Sequence, residues 1–107
     1  MFNLKKIRTF IFNNIWYDIT WQKLGKETVK NSKGRKITKT VYGYTDDPTA
    51  TCPEMIINPR TSESELLNTL IHESIHATNY KLDERVVTRM ADDISSFLWK
   101  IGFRLKK

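Results

Sequence analysis

Both histidines of this chain fall four residues apart, in the run His72-Glu73-Ser74-Ile75-His76. On an α-helix, positions i and i+4 stand one turn apart on the same face, so both imidazoles reach one metal ion. Glu73 is rotated by about 100° from His72. It flanks such a metal without ligating it, near the place a metal-bound water would occupy. H-E-x-x-H is thus the spacing of a metal site, with two ligands and an adjacent carboxylate supplied by one turn of helix. Catalytic zinc usually takes three protein ligands. Since there is no third histidine, the remaining one is a carboxylate or, as the weaker option, the thiol of Cys52. Two histidines with a carboxylate suit zinc better than other divalent metals.

The flanking residues predict the elements that hold this turn. Ser62-Glu63-Ser64-Glu65 is a capping box that starts a helix, which runs to about Thr78. Leu67, Leu70, Ile71 and Ala77, with Ser74 among them, form its core stripe, which turns His72 and His76 away from the core toward an open cleft. A second helix begins at the N-cap Asp83. Its apolar positions are Val87, Met90, Ala91, Ile94, Phe97, Leu98 and Ile101, and Gly102 ends it. The tail from Phe103 to Lys107 is expected to fray.

Strand signals come earlier in the chain. Ile15, Tyr17, Ile19 and Trp21 alternate with Trp16, Asp18 and Thr20, the period of a half-buried strand. Asn13-Asn14 before it suits a tight turn between two short strands. Residues 23–36 read as a basic loop or a hairpin tip, Ile37 to Tyr44 as a further strand, and Met55 to Asn58 as a short buried strand closed by Pro59. Strands followed by two helices predict a single α+β domain over residues 1–107, a small twisted sheet leading into two helices. Trp16, Trp21 and Trp99 are expected to pack in the core or between helices, and Cys52 as a small buried residue. Tyr42, Tyr44 and Tyr80 are core or rim aromatics that are also candidate donors to an oxyanion.

The net charge of +6 is uneven. Residues 1–40 hold ten Lys and Arg against two acids, whereas residues 41–107 hold eight against ten. Seven of the basic residues (Lys23, Lys26, Lys30, Lys33, Arg35, Lys36 and Lys39) cluster without interleaved aromatics. Such a cluster predicts at most weak, non-specific contact with nucleic acid. A single cysteine excludes an intrachain disulfide and fits a reducing compartment. The broken apolar run Ile7 to Phe12 is no export signal, and no stretch approaches a membrane span. A cytoplasmic location is expected.

Thr69-Leu70-Ile71-His72-Glu73-Ser74-Ile75-His76-Ala77 resembles the active-site helix of the H-E-x-x-H zinc metallopeptidases, the zincins. The chain is most similar to their very small phage- and bacterium-encoded members of the minigluzincin type. The likeness extends loosely over residues 37–98, and only the five-residue motif and its flanks are specific. It implies a minimal zincin-like fold and hydrolysis of peptide bonds by a metal-activated water, with Glu73 as general base. It also implies an edge strand, Ile37 to Tyr44, to pair with substrate, and a glutamate on the next helix as third ligand. Glu84 is the match, with Asp83 and Asp92 as rivals. On one unbroken helix Glu84 would lie about 12 Å beyond His76. The first helix must therefore stop, with Asn79 in the left-handed conformation and a turn over Tyr80-Lys81-Leu82. Two other classes fit the same residues: a metal-stabilised interaction module without turnover, and a basic nucleic-acid-associated factor.

Overall fold

A computed structural model describes residues 2–30, 33–34, 36–40 and 42–106. The chain forms β1 (Phe2–Asn3), β2 (Thr9–Phe12), β3 (Ile15–Trp21), β4 (Lys26–Lys30), β5 (Lys36–Thr40), β6 (Gly43–Thr45), β7 (Glu54–Ile57), α1 (Glu63–Thr78), α2 (Glu84–Lys100) and β8 (Leu105–Lys106). This is a small α+β fold, a mixed four-stranded sheet followed by two helices. Among the described residues no helix is long and apolar enough to cross a membrane.

The alternation over residues 15–21 forms β3 as the pattern predicts, with Tyr17 and Ile19 buried and Trp16 and Asp18 outward. Asn13 and Asn14 both take positive φ, 49° and 64°, the geometry of a two-residue hairpin turn whose twist matches its strands. That turn joins β2 to β3 in antiparallel register, Phe12 opposite Ile15. β7 then pairs with β3 in parallel, Ile19 opposite Met55, and β6 completes the sheet antiparallel to β7. The strand order is β2-β3-β7-β6, which leaves β6 at an edge.

Several elements differ from the sequence expectation. Of the loop or hairpin expected over 23–36, the structure has the hairpin: β4 lies within the segment and pairs antiparallel with β5, Val29 opposite Ile37. Among the described residues this hairpin packs on no other element. The strand expected over Ile37 to Tyr44 is split into β5 and β6, and Val41 between them lies outside the described residues. Trp16 faces solvent, and Trp21 donates its indole N–H to the Ile7 carbonyl at 2.8 Å. The tail is pinned instead of frayed. β8 pairs with β1, and the Arg104 guanidinium stacks 3.6 Å from the centre of the Trp99 ring. Cys52 is exposed, at φ 53°, where a buried position was expected.

The core lies between one face of the sheet and α1. Tyr17, Ile57 and Leu66 are fully buried there with Ile19, Met55 and Ala77. Each of the large side chains contributes on the order of 1.5–3 kcal/mol of burial. Tyr17 donates its hydroxyl to the Asp46 carbonyl at 3.2 Å, and burial raises its pKa, with Asp47 and Asp46 adding to the shift. The predicted stripe of α1 is only part of what is buried. Leu66, Thr69 and Glu73 are covered in addition to Leu67 and Ala77, while Leu70 and Ile71 are half-buried. α2 packs on α1 alone among the described elements, through Val87, Ala91 and Ser95. Val86, Met90, Ile94, Phe97 and Ile101 stay exposed.

Candidate metal centre

Helix α1 starts where Ser62 accepts the Glu65 backbone N–H. The nearby Glu65 carboxylate raises the Tyr42 pKa. Sixteen residues later the helix stops at Asn79. Asn79 has φ −146°, so the break is not the left-handed cap expected of it. Instead the Asn79 N–H bonds the Ile75 carbonyl, and the Leu82 N–H returns to the Asn79 carbonyl at 3.2 Å. The reversal over Tyr80 and Lys81 brings α2 back beside α1. Asp83 caps α2, its side chain accepting the Arg85 backbone N–H at 2.8 Å. Glu84 is thereby the first helical residue and sits over the histidine pair.

His72 Nε2 lies 2.9 Å from Glu84 Oε1, His76 Nε2 lies 2.9 Å from Glu84 Oε2, and the two Nε2 atoms are 3.1 Å apart. These three residues are the only group of ligand-type side chains close enough to share a metal among the described residues. Ligands of a tetrahedral zinc with bonds of about 2.0–2.1 Å stand roughly 3.3 Å from one another. The observed separations are within a few tenths of an ångström of that edge, and the donor set, two imidazoles and a carboxylate, suits zinc.

Glu73 faces a different direction. It is 7% exposed and pressed between α1 and β6. Thr45 on β6 donates its hydroxyl to Glu73 Oε1 at 2.7 Å. Opposite Gly43 the gap is narrow, since a Cβ there would come within 2.9 Å of Glu73 Cγ and of Thr69 Cγ2, and 3.2 Å of Glu73 Oε2. Burial pushes the Glu73 pKa up; the Thr45 hydrogen bond and the nearby His76 pull against it, and Glu84 adds to the rise. Glu73, the two histidines and Glu84 line one cleft of about 660 Å³, together with Tyr42, Gly43, Thr45 and Tyr80.

The other expected candidates lie elsewhere. Asp83 is committed to its cap, and Asp92 accepts the Asn68 amide at 2.9 Å, tying α2 to α1. Cys52 is in the exposed loop before β7. Of the tyrosines, Tyr44 donates to Asp46 Oδ1 at 2.6 Å, whereas the Tyr80 ring lies 6.4 Å from that of His76. Of the basic cluster, Arg35 lies outside the described residues, and Lys26, Lys30, Lys36 and Lys39 belong to β4 and β5. Thr45 and Gly43 were not foreseen as site residues. A glycine at a strand position is the available signal, because it marks a close backbone approach.

The free edge of β6 opens on the same cleft. Tyr42 accepts from the Asn58 N–H and Asp46 donates to the Glu54 carbonyl, each at 2.9 Å. Alternation along the strand then turns the N–H and C=O of Gly43 and Thr45 toward the unpaired side. No protein-family model matches this chain, and neither does any curated protein or solved structure.

Proposed function

We propose that this protein is a small zinc-dependent peptidase of the zincin type, acting on an extended peptide or protein segment. The observation that carries this reading is the convergence of His72, His76 and Glu84 beside a second, buried carboxylate in one cleft. Zinc held by those three residues would supply a Lewis acid for the scissile carbonyl and lower the pKa of a water toward neutrality.

The chain's own residues do the rest. Thr45 fixes Glu73 through Oε1, which leaves Oε2 to accept the water's proton and pass it to the leaving amine. Burial raises the Glu73 pKa, the direction that suits a base working near neutral pH. A substrate strand adds to the open edge of β6 through the backbone of Gly43 and Thr45, so β6 takes the role expected of the longer Ile37 to Tyr44 strand. Tyr80, at the rim beside His76, is the tyrosine placed to donate to an oxyanion. A cytoplasmic setting fits the exposed thiol of Cys52. The basic half contacts nucleic acid weakly and without sequence preference, which salt-dependent retention on duplex DNA measures.

Elemental analysis of protein purified without a histidine tag tests the centre. About one zinc per chain is expected. His72→Ala and His76→Ala should each abolish it, together with the rise in thermal stability that bound metal gives the folded state. Glu73→Gln should keep the zinc and lose about two to four orders of magnitude in cleavage of a broad peptide library. Equal activity in wild type and Glu73→Gln, or zinc-loaded protein that cleaves nothing, replaces the peptidase by a metal-stabilised interaction module.

A further inference from the structure

Helix α2 carries an apolar stripe that its own fold leaves uncovered. Met90, Ile94, Phe97 and Ile101 follow one another at spacings of four, three and four, so they form one narrow line along the helix. Their exposures are 39%, 40%, 65% and 61%. Among the described residues the only element packed against α2 is α1, on the neighbouring face through Val87 and Ala91. Scattered apolar side chains on a surface need no explanation, but a continuous stripe of large ones on a monomer marks a contact.

The spacing is that of a coiled-coil seam, and the charges beside it select the occupant. Asp93 and Lys100 are both exposed, lie on the same flank of the stripe, and stand seven residues apart with opposite sign. Consider a second α2 laid antiparallel, Ile94 against Phe97 of the second copy and Met90 against its Ile101. That register brings Asp93 beside Lys100 of the second copy, and by symmetry the pairing occurs twice. A parallel pair aligns the same apolar residues but sets Asp93 opposite Leu98, with no charge to meet. A two-fold axis needs a self-complementary surface, which the antiparallel register provides.

We propose that this face of α2 is a homodimer interface, in which two copies pack their second helices antiparallel across the Met90–Ile101 stripe. The cleft opens between α1, β6 and the start of α2, so the interface leaves the metal residues free and stands independently of the peptidase reading. The seam is short, about 17 Å, so the dimer is reversible.

Sedimentation equilibrium over a concentration series tests this on the whole chain. Wild type is expected to pass from monomer to dimer. Phe97→Glu should raise the dissociation constant at least about tenfold, as removing a central apolar anchor does. Because Phe97 is largely exposed, an unchanged far-ultraviolet circular dichroism spectrum and melting temperature should accompany that loss. Asp93→Lys and Lys100→Asp, made singly, should each weaken the dimer, and the two together should restore it. A wild type that stays monomeric at every concentration overturns the proposal and assigns the stripe to a different partner. Dimerisation in which the double charge exchange is no better than either single one overturns the antiparallel register.

Discussion

The two helices use their apolar residues in opposite ways. α1 lies between the sheet and α2, so residues on several of its faces are covered: Leu66, Thr69, Glu73 and Ala77 are buried, and Leu67 with them. Among the described residues α2 has one neighbouring element, and only part of its apolar arc meets it. Val87 and Ala91 are fully buried, while Met90, Ile94, Phe97 and Ile101, equally apolar and on the adjacent line, are exposed. Periodicity thus marks where the apolar arc of a helix lies, and tertiary contacts decide which part of it the chain itself covers. The contrast extends to polar groups. α1 buries a carboxylate, Glu73, because a strand hydroxyl on β6 satisfies it; Glu84 of α2 holds its own carboxylate in an open position over the histidines.

The sharpest way to break this comparison is to truncate one residue from each side of it. Leu66→Ala removes a fully buried side chain between α1 and the sheet and should cost about 2–5 kcal/mol in chemical denaturation. Phe97→Ala, on the exposed line of α2, should change monomer stability by no more than about 0.5 kcal/mol when measured below the dimerisation range. Equal losses for the two would mean that the α2 stripe is covered within the monomer.

A smaller effect is expected where β6 approaches α1. Gly43→Ala places a methyl against Glu73 Cγ and Thr69 Cγ2 at 2.9 Å, so strand or helix must shift. Overpacking of this kind costs about 1–3 kcal/mol. Zinc content should stay near the wild-type value, because the three nearest atoms that a Cβ at Gly43 would meet belong to Glu73 and Thr69 and not to a metal ligand. Peptide turnover should fall along with stability as Glu73 is displaced. A Gly43→Ala protein with wild-type denaturation and turnover would show that the close approach of β6 does not hold the carboxylate.

The smallest effect concerns the start of α2. Asp83→Ala should lose about 1 kcal/mol of stability, the usual worth of an N-cap, and retain bound zinc. Glu84→Ala should do the converse and release the metal with little change in the stability of the metal-free protein, since Glu84 is 66% exposed. If Asp83→Ala releases zinc and Glu84→Ala keeps it, the third ligand is Asp83, and the helix start must rearrange on metal binding.

Much of this arrangement was legible from local chemistry. The H-E-x-x-H spacing, the Ser62 and Asp83 caps, the Asn13-Asn14 turn and the glycine stop at Gly102 each depend on residues within a few positions of one another. At Gly102, φ is 108°, and the N–H groups of Gly102 and Phe103 close on the Trp99 and Leu98 carbonyls, a helix ending in which glycine is favoured. Less legible were the extent of β4 and the division of residues 37–44. Polar strands carry no alternation to mark them, and a break as short as the one at Tyr42 falls below the resolution of any periodic pattern.

By itself, then, the amino-acid sequence determined the class of fold, the helix boundaries and a pair of imidazoles one turn apart, because caps, turns and helical spacing are fixed by interactions inside each segment. Only the tertiary structure decided that β7 pairs in parallel with β3 and leaves β6 at the edge, that Glu84 and not Asp83 stands over the histidines, and that Thr45 holds Glu73. Those outcomes join residues as far as 28 positions apart in the case of Thr45 and Glu73, and they arise from the packing of α1 on the sheet and the reversal after Asn79. No local preference encodes such a distance. It is set by which surfaces exclude water together once the elements have formed.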